Sequence, residues 1–299
     1  MRHSKKDRIL SIALVSPSII AMFIFIYGFI GFTAYSSLSN WNKMKPDFTF
    51  VGLANYTRLF QSERFIIDMR NTFTFTILFI IVTIVLGFLL AVLLDQSIKG
   101  ESIFRNIFLF PMALSYIVTG VVWRWLLAPG TTITGPSGVN ILFDNLGLGF
   151  LKSGWYTDPE IGIKAVVIAA TWQMSGYIMA LYLAGMRAIP EELREAARVD
   201  GATPTQVYRY IIIPLLKPIT LSAVIILGHI SLKIFDLIVS MTGPGTGFIT
   251  DVPALFMFDT TFRGNRFAQG SAIAMVLLVL VALLVVPYLI SSYREEVER

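Results

Sequence analysis

The chain contains no cysteine and only two histidines, His3 and His229, among its 299 residues. A disulfide framework, a thiolate nucleophile and a cysteine-ligated metal are therefore excluded, and a histidine-rich metal centre has too few ligands to form. Charged residues make up 14% of the sequence, about half of what an ordinary soluble domain carries. No Gly-x-x-x-x-Gly-Lys-Ser/Thr run occurs, so the chain holds no phosphate-binding loop of that kind and cannot itself draw energy from ATP. Clustered carboxylates and a nucleophile–base constellation are missing too, which argues against a membrane-embedded enzyme. The formal charge of +5 sits on residues scattered among loops rather than on one face, the distribution expected of membrane topology and not of a nucleic-acid footprint.

What the chain has in excess is apolar length. Apolar residues account for 55% of it. A helix needs about 20 such residues to cross the hydrocarbon core, and six stretches meet that requirement, near 9–35, 72–94, 104–127, 163–186, 218–241 and 267–291. The expected fold class is an all-α membrane protein with six transmembrane helices and both termini on one side. Arg2, Lys5, Lys6 and Arg8 before the first stretch mimic a signal peptide, but the apolar run is too long for an h-region and lacks a small-residue cleavage site. It reads as a retained helix.

Lysine and arginine are dense in the amino-terminal tail, at Lys99 and Arg105, and at Arg187, Arg194, Arg198, Arg209 and Lys217. The positive-inside rule puts those segments, and both termini, in the cytoplasm. The opposing loops are rich in turn residues, such as Gly243-Pro244-Gly245-Thr246-Gly247, a composition suited to irregular surface structure. Asn55-Tyr56-Thr57 matches a glycosylation sequon, a pattern that arises often by chance.

The loop at 187–217 differs from an ordinary membrane connector. Pro190 suits a first helical position, Glu191 and Glu192 favour the positive end of the helix dipole, and Gly201 ends the helix after Asp200. Glu191 with Arg194, and Glu195 with Arg198, are expected as i,i+3 pairs. Leu193, Ala196 and Ala197 form a narrow apolar strip. Thr203, Pro204 and Gln206 then form a capping box that opens a second helix with Val207, Tyr210 and Ile211 on one side, before Pro214 and Pro218 stop or kink it.

Glu195-Ala196-Ala197, three residues, Gly201, nine residues, Ile211, one residue, Ile213 and Pro214 resemble the cytoplasmic signature of permease subunits in binding-protein-dependent ABC importers. The isoleucine at 213, where that signature has leucine, keeps the hydrophobicity and volume. Phe50-Val51-Gly52-Leu53-Ala54-Asn55-Tyr56, Asn71-Thr72-Phe73 and Phe235-Asp236-Leu237-Ile238 are similar to the carbohydrate branch, the maltose and glycerol-3-phosphate permease type. The resemblance spans nearly the whole chain and favours the first permease of the pair. It implies a type I importer permease fold, a single transmembrane permease domain over 1–299 with core helices at about 72–291, a peripheral helix at 9–35 and a coupling loop at 187–217. It further implies a prokaryotic inner-membrane location, a second homologous permease, two copies of a cytoplasmic ATPase that bind ATP and magnesium, and an extracytoplasmic solute-binding protein that delivers a sugar, oligosaccharide or polyol. Glu195, Ala196, Ala197, Asp200, Gly201, Ile211 and Pro214 would make the ATPase contact; the chain itself would need no cofactor.

Polar groups at membrane depth are costly unless they face water or one another. His229, Lys233, Asp236 and Ser240 are spaced to share one face of a continuous helix, and Lys233 and Asp236 are spaced for an i,i+3 pair. Gln173 and Tyr177 are four apart on the fourth span, and Trp123 and Arg124 sit near the outer end of the third. Together these are the expected substrate path, with aromatic faces and amides suited to hydroxyl-rich ligands. A stand-alone secondary transporter, using His229, Lys233 and Asp236 as an ion relay, is the alternative reading.

Overall fold

A computed structural model of the chain describes residues 5–297 apart from positions 97, 132 and 134, so His3 and Arg2 of the basic tail lie outside the described residues. Four helices are long and apolar enough to cross a bilayer unaided: Ile12–Ser37, Glu63–Asp95, Gly162–Arg187 and Phe267–Ile290. Two bent pairs bring the number of spans to six, Glu101–Ala113 with Tyr116–Leu126 and Pro204–Leu215 with Lys217–Leu232. The six-span expectation holds, but the third span is not the straight rod that its apolar length suggests, since it bends by 100°; the 64° bend ahead of Lys217–Leu232 falls where Pro214 and Pro218 are expected to kink the chain.

Each break has a local cause. In the third span Pro111 opens a 3-10 turn, Phe110–Ala113, Leu114 is extended, and the Ser115 side chain accepts from the Val118 N–H to start a new helix, Tyr116–Leu126. Proline cannot donate to the helical ladder, and a serine N-cap satisfies one of the orphaned donors beyond it. In the fifth, a π segment, Tyr208–Ile212, accommodates the missing N–H of Pro214, the chain turns at Leu216, and Lys217–Leu232 follows. That helix ends at Lys233, and a separate short helix, Asp236–Met241, begins three residues later.

The chain divides into two compact units, Met1–Ser62 with Phe256–Leu278, and Glu63–Leu255 with Val279–Arg299. In the first unit, the apolar window of the opening span has no buried residue. Below it, Asn55 is buried and spends its amide on the carbonyls of Ser37 and Ser39, at 2.9 and 2.8 Å. Tyr56 and Ser37 share a hydrogen bond of 2.7 Å. Gly52, at φ +59°, supplies the left-handed residue that aims this helix. The Phe50 to Tyr56 stretch is thus a corner, and Asn55 has no amide to spare for a glycan. Trp41 stacks on Phe267 at 4.7 Å, and Asn42 accepts from the Gln269 N–H at 3.0 Å, securing the start of the sixth span.

The second unit is built on the pairing of Glu63–Asp95 with Gly162–Arg187. Small residues allow close approach: a Cβ on Gly87 would stand 2.6 Å from Ile178 within this pair, and one on Gly176 would stand 1.9 Å from the Phe108 carbonyl oxygen of the third span. Phe75 and Phe79, fully buried, stack at 5.3 Å. Thr83 donates to Thr171 across the same interface at 3.2 Å. Glu63–Asp95 starts well before the expected 72, which places Asn71 inside a helix and not at its entry.

Candidate coupling loop and translocation path

The loop between the fourth and fifth spans is a capped helix-turn-helix. Its first helix is Glu191–Val199, with Pro190 as the N-cap, one position earlier than its composition suggests. At the other end Gly201 has φ +80°, its N–H reaches the Arg198 carbonyl at 3.1 Å, and the Ala202 N–H reaches the Ala197 carbonyl at 2.9 Å. This is a Schellman closure, and the left-handed residue it needs is most easily glycine. Thr203 and Gln206 form the expected capping box.

The pairing of charges differs from the expected one. Arg198 bonds Glu191 at 3.2 Å, one turn further back than Glu195. Glu195 consequently has no ion pair with this chain among the described residues. Arg194 lies 3.7 Å from Glu191, as expected, but its shorter bond is 2.8 Å to Asp95 at the end of the second span. Ala197 is buried behind the helix, whereas Leu193, Glu195, Ala196 and Val199 are exposed in front of it. In the following arm the buried side comprises Val207, Ile212 and Leu216; Tyr210 is exposed and Ile211 half-buried. The π segment advances the register and rotates the expected face away. Pro214 is exposed.

The expected substrate-path residues fall in three places. Gln173 is buried and donates to the Leu114 carbonyl at 2.8 Å, so it ties the fourth span to the break in the third. Tyr177 is half-buried one turn on. Trp123 meets Trp172 edge to face at 5.9 Å, and both line a groove of about 760 Å³ with Leu86, Phe108 and Lys164. Arg124 is exposed beside it. The expected single face of His229, Lys233, Asp236 and Ser240 does not exist. Lys233 ends one helix with φ −118°, Asp236 starts another, and no ion pair joins them among the described residues. Both side chains are exposed at the break. Ser240 instead packs against the third span, where a Cβ on Gly120 would stand 1.9 Å from its Oγ.

At the opposite end of the same unit, a cluster that sequence spacing hides fixes the loop after the fifth span. Asp251, fully buried, takes a 2.6 Å bond from Arg64 Nε. Asn71 donates to the carbonyls of Phe248 and Asp251 at 2.9 and 3.0 Å. Phe248 is held at φ +62°, with the Arg64 guanidinium 4.8 Å over its ring. Burial pushes the Asp251 carboxyl above the usual carboxylate range, against the pull of Arg64.

A chain of broken spans, with a braced loop at one end and a pinned loop at the other, is a transporter subunit in form. It belongs to the family of binding-protein-dependent transport system inner membrane components, whose model matches residues 83–292. It is 43% identical over 285 residues to a probable ABC transporter permease protein of Pyrococcus horikoshii, covering 95% of this chain and 96% of that one. With the xylose/arabinose import permease protein XacH of Haloferax volcanii it shares 34% over 280 residues, covering 92% and 86%. The crystal structure of a bacterial ABC transporter involved in import of the acidic polysaccharide alginate superposes with a TM-score of 0.77 at 25% identity, covering 94% of each chain. The fold is therefore the type I importer permease fold, and the chain is an integral membrane permease subunit that works with a binding protein. The ion-relay reading of His229, Lys233 and Asp236 is set aside by this membership and by the break that separates them.

Proposed function

We propose that this chain forms one half of the pore of an ATP-driven importer for a sugar, oligosaccharide or polyol. A second, homologous permease supplies the other half. Two copies of a cytoplasmic ATPase, carrying ATP and magnesium, receive the two coupling loops, and an extracytoplasmic binding protein delivers the solute. The amino and carboxyl termini and the loop at 187–217 are cytoplasmic, in keeping with their lysine and arginine content.

The observation that carries the reading is the front of Glu191–Val199. It presents Leu193 and Val199 to solvent, Val199 at 87% exposure, beside an unpaired Glu195 and a small Ala196. An exposed apolar strip on a helix already braced from behind fits a groove on a soluble partner. Glu195 then pairs with a basic group on the ATPase, Asp200 and Gly201 shape the turn, and Ile211 and Pro214 carry the motion into the fifth span. The pore reading rests on Lys233 and Asp236, exposed where the fifth span ends at Leu232 and the helix Asp236–Met241 begins. Charges in hydrocarbon are too costly to persist, so this surface faces water or the partner permease; His229, Tyr177, Trp123 and Arg124 lie elsewhere in the unit and are assigned to the path separately. The sugar class is supported by the kinship with the pentose and alginate importers.

The test is reconstitution of the permease pair, ATPase and binding protein in proteoliposomes. Uptake of a ligand found by thermal-shift screening of the binding protein against mono-, di- and oligosaccharides and polyols is expected only with ATP. Uptake driven by an ion gradient without ATP would refute it.

A further inference from the structure

Asp95 closes the second span, in a position that membrane topology does not require to be charged, and its side chain is almost fully buried. Its Oδ2 accepts from Arg194 Nη1 at 2.8 Å and from the Tyr208 hydroxyl at 3.1 Å. The side chains of Arg194 and Asp95 are 13% and 6% exposed. Arg194 also donates through Nη2 to the Met186 carbonyl at 3.0 Å, in the last turn of the fourth span. A single carboxylate and a single guanidinium therefore join four elements: the ends of the second and fourth spans, the helix Glu191–Val199, and the arm that begins at Pro204. A second tie lies beside it, where Glu101 bonds both Arg105 and Arg187. Covalent connectivity alone links Glu191–Val199 only to the fourth and fifth spans.

We propose that Asp95 is a positioning residue for energy coupling, the latch that makes the second span move with the coupling helix. The inference rests on the reading of Glu191–Val199 as the ATPase contact. A buried, charge-assisted pair with planar guanidinium geometry resists shear far better than an exposed one. A stroke received by the helix is then delivered to Asp95, and through the 33-residue helix that it terminates to the opposite end of the unit, where Arg64 and Asn71 of that same helix hold the loop around Phe248 and Asp251. The latch thus connects the ATPase side with the opposite loop along one rigid element. Tyr208 contributes a second, weaker hold on the same oxygen.

The test uses the whole complex in lipid nanodiscs or proteoliposomes, comparing Asp95→Asn, Arg194→Lys and Tyr208→Phe with the unmodified chain. Solute transported per ATP hydrolysed, and the stimulation of ATP hydrolysis by the loaded binding protein, are measured alongside co-purification of the ATPase. Asp95→Asn is expected to keep the ATPase bound and the basal hydrolysis intact while transport per ATP falls about ten-fold, within the range of an ordinary coupling free energy. Arg194→Lys keeps a charge but loses the guanidinium fork that reaches Asp95 and the Met186 carbonyl together, so it is expected to lose most of the coupling as Asp95→Asn does, and Tyr208→Phe to lose about two-fold. Unchanged transport per ATP in Asp95→Asn overturns the latch. Should that variant fail to assemble, unchanged ratios in both Arg194→Lys and Tyr208→Phe overturn it instead. Loss of ATPase co-purification in Leu193→Asp would support the underlying contact, whereas retention there would sink that contact and leave the latch geometry unaffected.

Discussion

A Cβ added at Gly201 would meet nothing within 4 Å, so substitution there acts through the backbone alone. At φ +80° an ordinary side chain costs about 1–2 kcal/mol, asparagine less, and a β-branched residue more. Gly201→Asn is therefore expected to keep most uptake, while Gly201→Val loses it at unchanged membrane level, as read by radiolabelled solute uptake and immunoblot of membranes. Gln173 presents the opposite case, because its surroundings decide. Gln173→Leu removes the donor to the Leu114 carbonyl, and leaving that group unpaired costs about 1–3 kcal/mol. The expected result is a lower melting temperature of the purified complex, where residue spacing alone suggests a transport defect with normal assembly.

At the scale of elements, the spacing of the loop signature was readable because caps and turns are local: Thr203 and Gln206 act on neighbours three positions away. Apolar length located the spans equally well. It did not reveal the breaks inside them, although Pro214 and Pro218 marked the kink ahead of Lys217. Pro111 gave a visible signal for the third, but the residues from Leu232 to Asp236 include neither proline nor glycine, and the helix there yields to packing of Asp236–Met241 on the third span. Charge at membrane depth was the one hint, and reading it as a face of an unbroken helix placed Lys233 beside Asp236. The break makes a direct prediction. In this cysteine-free chain, Lys233→Cys in the assembled complex should react with a membrane-impermeant thiol reagent, and transported solute should slow the reaction. Resistance to the reagent in every nucleotide state would remove Lys233 from the aqueous path. Thr203→Ala is expected to cost about 1 kcal/mol through loss of the cap, seen as faster proteolysis of the loop at 187–217.

For the molecule as a whole, the class was legible and its internal wiring was not. Arg64 and Asp251 lie 187 positions apart, and Arg194 and Asp95 lie 99 apart; no local pattern announces either pair. Arg64→Met strands a fully buried carboxylate, which typically costs about 3–5 kcal/mol. The predicted outcome is loss of the folded complex on size-exclusion chromatography, with partial recovery in Arg64→Met/Asp251→Leu. A double variant as damaged as the single one would mean that the bond does more than neutralise a buried charge.

The interruption at Lys233 also bears on how the polypeptide is made. A segment carrying an ammonium, a carboxylate and unladdered peptide groups just past Leu232 partitions poorly from the translocon, where a charge costs about 2.5–3.5 kcal/mol at a helix centre and less towards its end. If helices synthesised before it hold it until a second permease covers it, a copy expressed alone is expected to turn over faster in pulse-chase than one expressed with that partner.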